Sequence, residues 1–163
     1  MSKKTTGVSV IEILIVVLII TLYLLGLVAL ANFSLLASQS YKNTTIAESL
    51  ARGEIEAIRN FRDGTTWDAN GLGTVLLDTV YHLGKTADNP PKWQLISGQE
   101  DSGIFSRKVI FSSVLRDSND NIVMSGGTID PGTKKAVVTV SWQERARSHQ
   151  IVLTAYFTNW QSP

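Results

Sequence analysis

An uninterrupted apolar run constrains this chain more than any other feature: from Ile13 to Leu30 it reads ILIVVLIITLYLLGLVAL, without a single charge. At about 1.5 Å of rise per helical residue, such a run crosses most of a hydrocarbon layer roughly 30 Å thick. Val8, Val10 and Ile11 extend it upstream, Ala31 and Phe33 downstream. Lys3 and Lys4 stand before it, and the next basic residue is Lys42. The positive-inside rule therefore keeps the N-terminus in the cytoplasm and directs the remainder outward. A single membrane-crossing segment over 8–33 is the expectation.

Glu12 breaks the pattern. An acid within a bilayer-spanning helix costs about 2.5–3.5 kcal/mol on insertion scales, so it is a functional candidate by default. The plainer reading makes Glu12 a border marker, one residue ahead of the apolar run. Val8, Val10 and Ile11 continue the apolar pattern on its upstream side and argue against that.

The order Lys3-Lys4-Thr5-Thr6-Gly7, then Val8-Ser9-Val10-Ile11-Glu12, then the apolar helix, resembles the class III signal of type IV pilins and pseudopilins. The resemblance implies that a prepilin peptidase cuts between Gly7 and Val8 and methylates the new amine of Val8. It makes Glu12 the fifth mature residue, which serves filament assembly in that family. The implied partners are the prepilin peptidase, an assembly platform and sibling pilin subunits, with membrane lipid along 8–33. The implied location is the cytoplasmic membrane, N-terminus inside and head outside, then an extracellular or periplasmic filament. Val8 departs from the family pattern, in which phenylalanine is commoner at that place. Ala29 stands where many major pilins carry a helix-kinking proline, which leaves a major subunit open; a minor pilin or pseudopilin is the reading adopted. The stretches Ala51–Asp63 and Lys134–Trp142 also resemble minor pilins of the PilV and type II secretion I-subunit sort.

Cleavage at this place has an electrostatic consequence. It creates an ammonium group at Val8, one helical turn from Glu12. A carboxylate on the same or a neighbouring subunit pairs with that amine and offsets the desolvation of both. A misregistered neighbour leaves buried charges unpaired, at about 3–5 kcal/mol. On this reading Glu12 sets the assembly register and catalyses nothing.

Two other readings of the segment stand beside this one. Ala29-Leu30-Ala31 satisfies the small-x-small rule of an ordinary secretory signal, with cleavage before Asn32. The apolar region then exceeds the usual ~7–15 residues, and Glu12 has no purpose. Alternatively the segment is an uncleaved anchor. Either makes the remainder an exported or anchored β-rich binding domain without a filament role.

Beyond the run, Gln39 to Asp63 reads as amphipathic helix. Ile46, Leu50, Ile55, Ile58 and Phe61, with Ala47, Ala51 and Ala57, form an apolar side, and Glu48, Arg52, Glu56, Arg59 and Arg62 the polar one. Gly64 supplies a stop, while Asn43-Thr44-Thr45 weakens the middle and Thr45 with Glu48 has a capping-box pattern, which leaves a break or kink near 40–45 open within the long helix. Residues 64–103 are rich in Gly, Asp, Asn and Pro and read as a long connection, with short strands at most near Thr79–Leu83 and Trp93–Ile96. Clear alternation follows in Phe105–Phe111, Lys135–Trp142 and Ile151–Thr158, with Gln143–Ser148 a hairpin connection and Ser125–Gly132 a turn. The expected organisation is a leader at 1–7, a long helix at 8–63 (8–33 in membrane or filament core, 39–63 packing on the head), a connection at 64–103 and a sheet at 104–163. The fold class is α+β: a long N-terminal helix packed on a small antiparallel β-sheet of three or four strands, in the type IV pilin manner.

Composition narrows the chemistry. Without cysteine there are no disulfides, thiolate metal sites or cysteine nucleophiles, and the net charge of +1 implies no nucleic-acid partner. His82 and His149 are the only histidines and nothing is spaced with them as a zinc set. There is no G-x-S-x-G elbow, and the expectation is no enzyme and no cofactor. Asp117, Asn119, Asp120 and Asn121 have the oxygen density of a calcium loop but lack its glycine and terminal glutamate, so an acidic turn is the reading. Trp67, Trp93, Trp142 and Trp160 are expected in the core or the helix–sheet seam.

Overall fold

The computed structural model describes residues 9–160, so Gly7 and Val8 lie outside the described residues. The chain divides into two compact units, Met1–Lys42 and Asn43–Pro163. Helix α1, Val10–Asp63, belongs to both. It stays helical through Asn43-Thr44-Thr45, where the sequence leaves a break open.

The second unit is built from the end of α1, a short helix α2 (Trp67–Asn70), a 3-10 turn (Leu72–Thr74) and seven strands. These are β1 Val80–Lys85, β2 Trp93–Ser97, β3 Glu100–Ser102, β4 Phe105–Arg116, β5 Ile122–Val123, β6 Thr128–Glu144 and β7 Arg147–Thr158. The main sheet runs β2-β1-β4-β6-β7, with β3 and β5 also pairing β4. Every pairing is antiparallel. The fold is therefore α+β, a long apolar N-terminal helix followed by a seven-stranded antiparallel sheet.

The strand total exceeds the three or four expected because residues 64–103 contribute β1, β2 and β3 to the same sheet. Their turn-rich flanks hide them: β1 and β2 are five or six residues long, and β3 only three. β6 likewise begins at Thr128, ahead of Pro131 and Gly132, inside a stretch that reads as turn. A register shift at Ser113/Val114 lets Thr128–Asp130 pair with Val114–Arg116, while residues 131–133 stand off the β4 ladder. Pro131 lacks an N–H to offer that ladder, and its carbonyl instead accepts from Trp67 Nε1 at 3.3 Å.

One face of the sheet carries the core. Val109 and Phe111 of β4, Ala136, Val138 and Val140 of β6, and Phe157 of β7 are buried together with Leu83 of β1. They meet the stripe Ala47, Ala51, Ala57, Ile58 and Phe61 of α1. Full burial of a side chain such as Ile58 or Phe111 contributes about 1.5–3 kcal/mol. The stripe differs from the one read in the sequence, for Ile46 is exposed at 36% and alanines hold its centre. Asn43, whose side chain favours turns by competing with the backbone, donates instead to Glu144 of β6 at 3.3 Å. Trp67 and Trp142 are buried as expected, but Trp160 is 62% exposed and only its Nε1 is held, by Asp63 at 3.2 Å.

The connection between β6 and β7 is shorter than Gln143–Ser148. Only Arg145 and Ala146 leave the ladder, at φ 50° and 62°. Two consecutive positive φ values make a two-residue hairpin turn whose twist matches the flanking strands, at a steric cost for side chains with a Cβ. Ala146→Gly is expected to raise the stability of the head by about 0.5–1 kcal/mol. Chemical denaturation followed by tryptophan fluorescence checks it, and an unchanged or lower midpoint refutes it.

Candidate functional site

In the first unit, α1 begins one residue after Ser9, whose carbonyl accepts from the Glu12 and Ile13 amides at 3.0 and 3.3 Å. Glu12 lies in the first turn, where the positive end of the peptide dipoles favours an acid. Every residue from Ser9 to Leu36 is exposed. The most apolar stretch of this helix has a mean hydropathy of 3.1 and none of it is buried. Thr21, inside the Ile13–Leu30 run, satisfies its hydroxyl by donating to the Val17 carbonyl at 2.8 Å. Among the described residues this is one helix long and apolar enough to cross a membrane. Its surface has the chemistry of a side meant for lipid or for other apolar helices.

The second unit contains a polar cluster that the sequence reading passed over. β1 pairs β4 only at Val80↔Ile110 and Tyr81↔Val109, while β3 occupies the next stretch of the β4 edge, from Phe105 to Arg107. Beyond Tyr81 the backbone of β1 has therefore left its neighbour. Two side chains serve it there. Glu54 Oε1, from α1, accepts from the Leu83 amide at 2.7 Å, and Arg107 Nη2, from β4, lies 3.4 Å from the Leu83 carbonyl. Arg107 also stands 3.3 Å from Glu54 Oε2 and bonds Glu100 of β3. At that separation Glu54 Oε2 is in ion-pair range but without hydrogen-bond geometry, so it is a buried oxygen lacking a hydrogen bond.

Glu54 has no solvent exposure, whereas Arg107 retains 22%. Burial pushes the Glu54 carboxyl above the ordinary carboxylate range, and the Leu83 amide and Arg107 only partly oppose it. Two breaches of apolar patterning were the available signal. Glu54 stands within the stripe Ala47, Ala51, Ile58 and Phe61, and Arg107 alternates with Phe105, Val109 and Phe111.

The other polar candidates are occupied locally. Asp117 Oδ1 accepts from the Asn119 and Asn121 amides, both at 2.9 Å, and Oδ2 from Asn121 Nδ2 at 3.2 Å. That arrangement is an Asx-type turn joining β4 to β5. His82 Nδ1 lies 3.1 Å from the Gly98 carbonyl, and His149 stacks on Trp142 with ring centroids 5.3 Å apart. Among the described residues no three His, Asp or Glu side chains group as a metal set. Glu12 and the Gly7–Val8 pair cannot be seen together, since the latter lies outside the described residues.

Compared with known proteins, the chain matches no protein-family model, no curated protein and no solved structure.

Proposed function

We propose that this chain is a filament subunit of the type IV pilin or pseudopilin kind, a minor subunit rather than the abundant one. The observation that carries the reading is a wholly exposed, uncharged helical surface with one acid in its first turn. A signal sequence or simple anchor needs the apolar surface but has no use for the acid. A subunit that leaves the membrane for a helical core needs both, the surface for either environment and the acid to select one register.

On this reading prepilin peptidase removes residues 1–7 and methylates Val8. The head, residues 43–160, lies outside the cytoplasmic membrane before assembly. The assembly platform then transfers the helix from lipid to neighbouring pilin helices, which offer an equally apolar surface and the complementary charge. Its role is structural.

The decisive measurement is the N-terminal mass of the chain produced in a host that carries prepilin peptidase. The expected product begins at N-methylated Val8. A chain beginning at Asn32, or an intact Met1, overturns the proposal, and the same precursor made without peptidase is expected to stay uncut.

A further inference from the structure

The two edges of the sheet are treated differently. The β2 edge has five residues and follows Pro90 and Pro91, a short border that resists pairing. The β7 edge has twelve residues, without proline, glycine or a register shift against β6. Among the described residues β6 is its only strand neighbour.

The phase of its free hydrogen bonds follows from both ends of the ladder. At one end, the two-residue turn makes Glu144↔Arg147 a bonded pair. At the other, the Asn159 amide donates to the Gly132 carbonyl at 2.8 Å, which has the same phase. Odd-numbered residues of β7 thus spend their backbone groups on β6. Ser148, Gln150, Val152, Thr154 and Tyr156 turn theirs outward, and all five side chains are exposed and uncharged.

Exposed guanidinium groups gather at one end. Arg145 and Arg147 are exposed, and neither has a carboxylate partner among the described residues. Glu144 stands across the ladder from Arg147, but its carboxylate accepts from Asn43. At the other end Tyr156 borders a groove of about 440 Å³ walled mainly by Leu115, Ile122, Met124 and Ile129, with the single cation Lys135 across the ladder from Tyr156.

We propose that the β7 edge accepts an extended strand from another protein, antiparallel like every pairing in this sheet, apolar near its start and acidic at its C-terminal end. Antiparallel addition brings that end beside Arg145 and Arg147 and the apolar part beside Tyr156 and its groove. Backbone bonds supply the attachment and the two ends supply the selection. The edge belongs to the head whether or not the chain enters a filament, so this inference stands apart from the function proposed above.

Amide exchange on the full chain in detergent micelles tests it, with two short peptides of alternating threonine and valine as probes. One ends in Asp-Glu with a free carboxylate, the other in Lys-Lys amide. The acidic peptide is expected to slow exchange at Gln150, Val152 and Thr154 by about tenfold or more, leaving Ile151 and Leu153 unchanged. The basic peptide is expected to do far less. Val152→Pro removes an outward N–H that β6 does not use, and is expected to keep the fold yet abolish the effect. Arg147→Glu, at an exposed position, is expected to reverse the preference toward the basic peptide. Equal protection by both peptides, no protection by either, or persistence in Val152→Pro overturns the proposal. Concentration-dependent protection without peptide overturns it too, because a second copy then occupies the edge.

Discussion

Arg107→Leu is expected to lower the stability of the head by about 3 kcal/mol at neutral pH, with a large fall in the denaturation midpoint. The reason is what the change leaves behind. Glu54 remains fully buried with Oε1 held by the Leu83 amide, but its one cationic neighbour within ion-pair range among the described residues is gone. Breaking a buried pair from one side costs about 3–5 kcal/mol, and the low end applies because Arg107 is itself in partial reach of water. The Leu83 carbonyl and Glu100 lose a partner at the same stroke. Glu54→Gln keeps an amide oxygen for Leu83 and removes the buried charge, so a much smaller loss is expected. The double variant Glu54→Gln/Arg107→Leu should recover most of what Arg107→Leu loses. Urea denaturation of the full chain in micelles, read by tryptophan fluorescence, measures all three. A single variant as stable as the parent, or a double variant worse than Arg107→Leu, refutes the account.

The same cluster fixes the sign of a pH effect. Burial raises the folded-state pKa of Glu54, so between its ordinary value and the raised one the folded chain holds a proton the unfolded chain has released. Stability from this group is complete below the ordinary carboxylate value and is lost as pH rises through the folded pKa. Three aspartates act oppositely. Asp63 is held low by the Arg62 side chain, and Asp117 by the Asn121 amide and side chain. At Asp130 burial pushes upward but bonds from Thr133, Arg116 and the Gly132 amide prevail and hold it low. Their contributions are present above the ordinary range and disappear as pH falls through their depressed values. The head should therefore gain stability on mild acidification and lose it below about pH 4. In Arg107→Leu the acid-side gain should be larger, because the cation that held Glu54 ionised is gone. Glu54→Gln should abolish it.

What the sequence made legible follows from where single residues suffice as signals. The apolar helix shows itself because Ile13 to Leu30 has no charge, and β4, β6 and β7 because their alternation survives over many residues. Short strands fail that test: β1, β2 and β3 acquire meaning only from the neighbours they pair with. Thr128–Asp130 is read as turn because Pro131 and Gly132 follow, yet the shift at Ser113/Val114 absorbs both residues. Glu144, Arg145 and Arg147 look like a charged loop, but only Arg145 and Ala146 turn. Glu54 and Arg107 are hardest. Each is one charge in an apolar row, and only their meeting at Leu83 turns two irregularities into one cluster. Glu12 is legible as an anomaly because it is the one acid beside an uncharged run, and the pairing proposed for it is a matter for an assembly experiment.

Glu12→Ala is expected to leave membrane insertion and cleavage intact while reducing filament incorporation by roughly a hundredfold or more. Insertion should become no harder, since removing an acid relieves a cost that reaches about 2.5–3.5 kcal/mol at the centre of a bilayer-spanning helix and is smaller near its end. Incorporation should become harder, because on the proposed function each methylated Val8 amine would enter an apolar core with no counter-charge. An unpaired buried charge costs about 3–5 kcal/mol, which corresponds to two or more powers of ten in association. Glu12→Gln, similar in size but neutral, should fail nearly as badly, which separates charge from packing. Glu12→Asp keeps the charge on a shorter arm and should retain partial incorporation. The readout is the fraction of processed chain in sheared filaments against the fraction left in membrane, at matched expression. Wild-type incorporation of Glu12→Ala refutes the pairing. A precursor that stays uncut shows instead that the acid serves recognition by the peptidase, since in the proposed sequence cleavage precedes assembly.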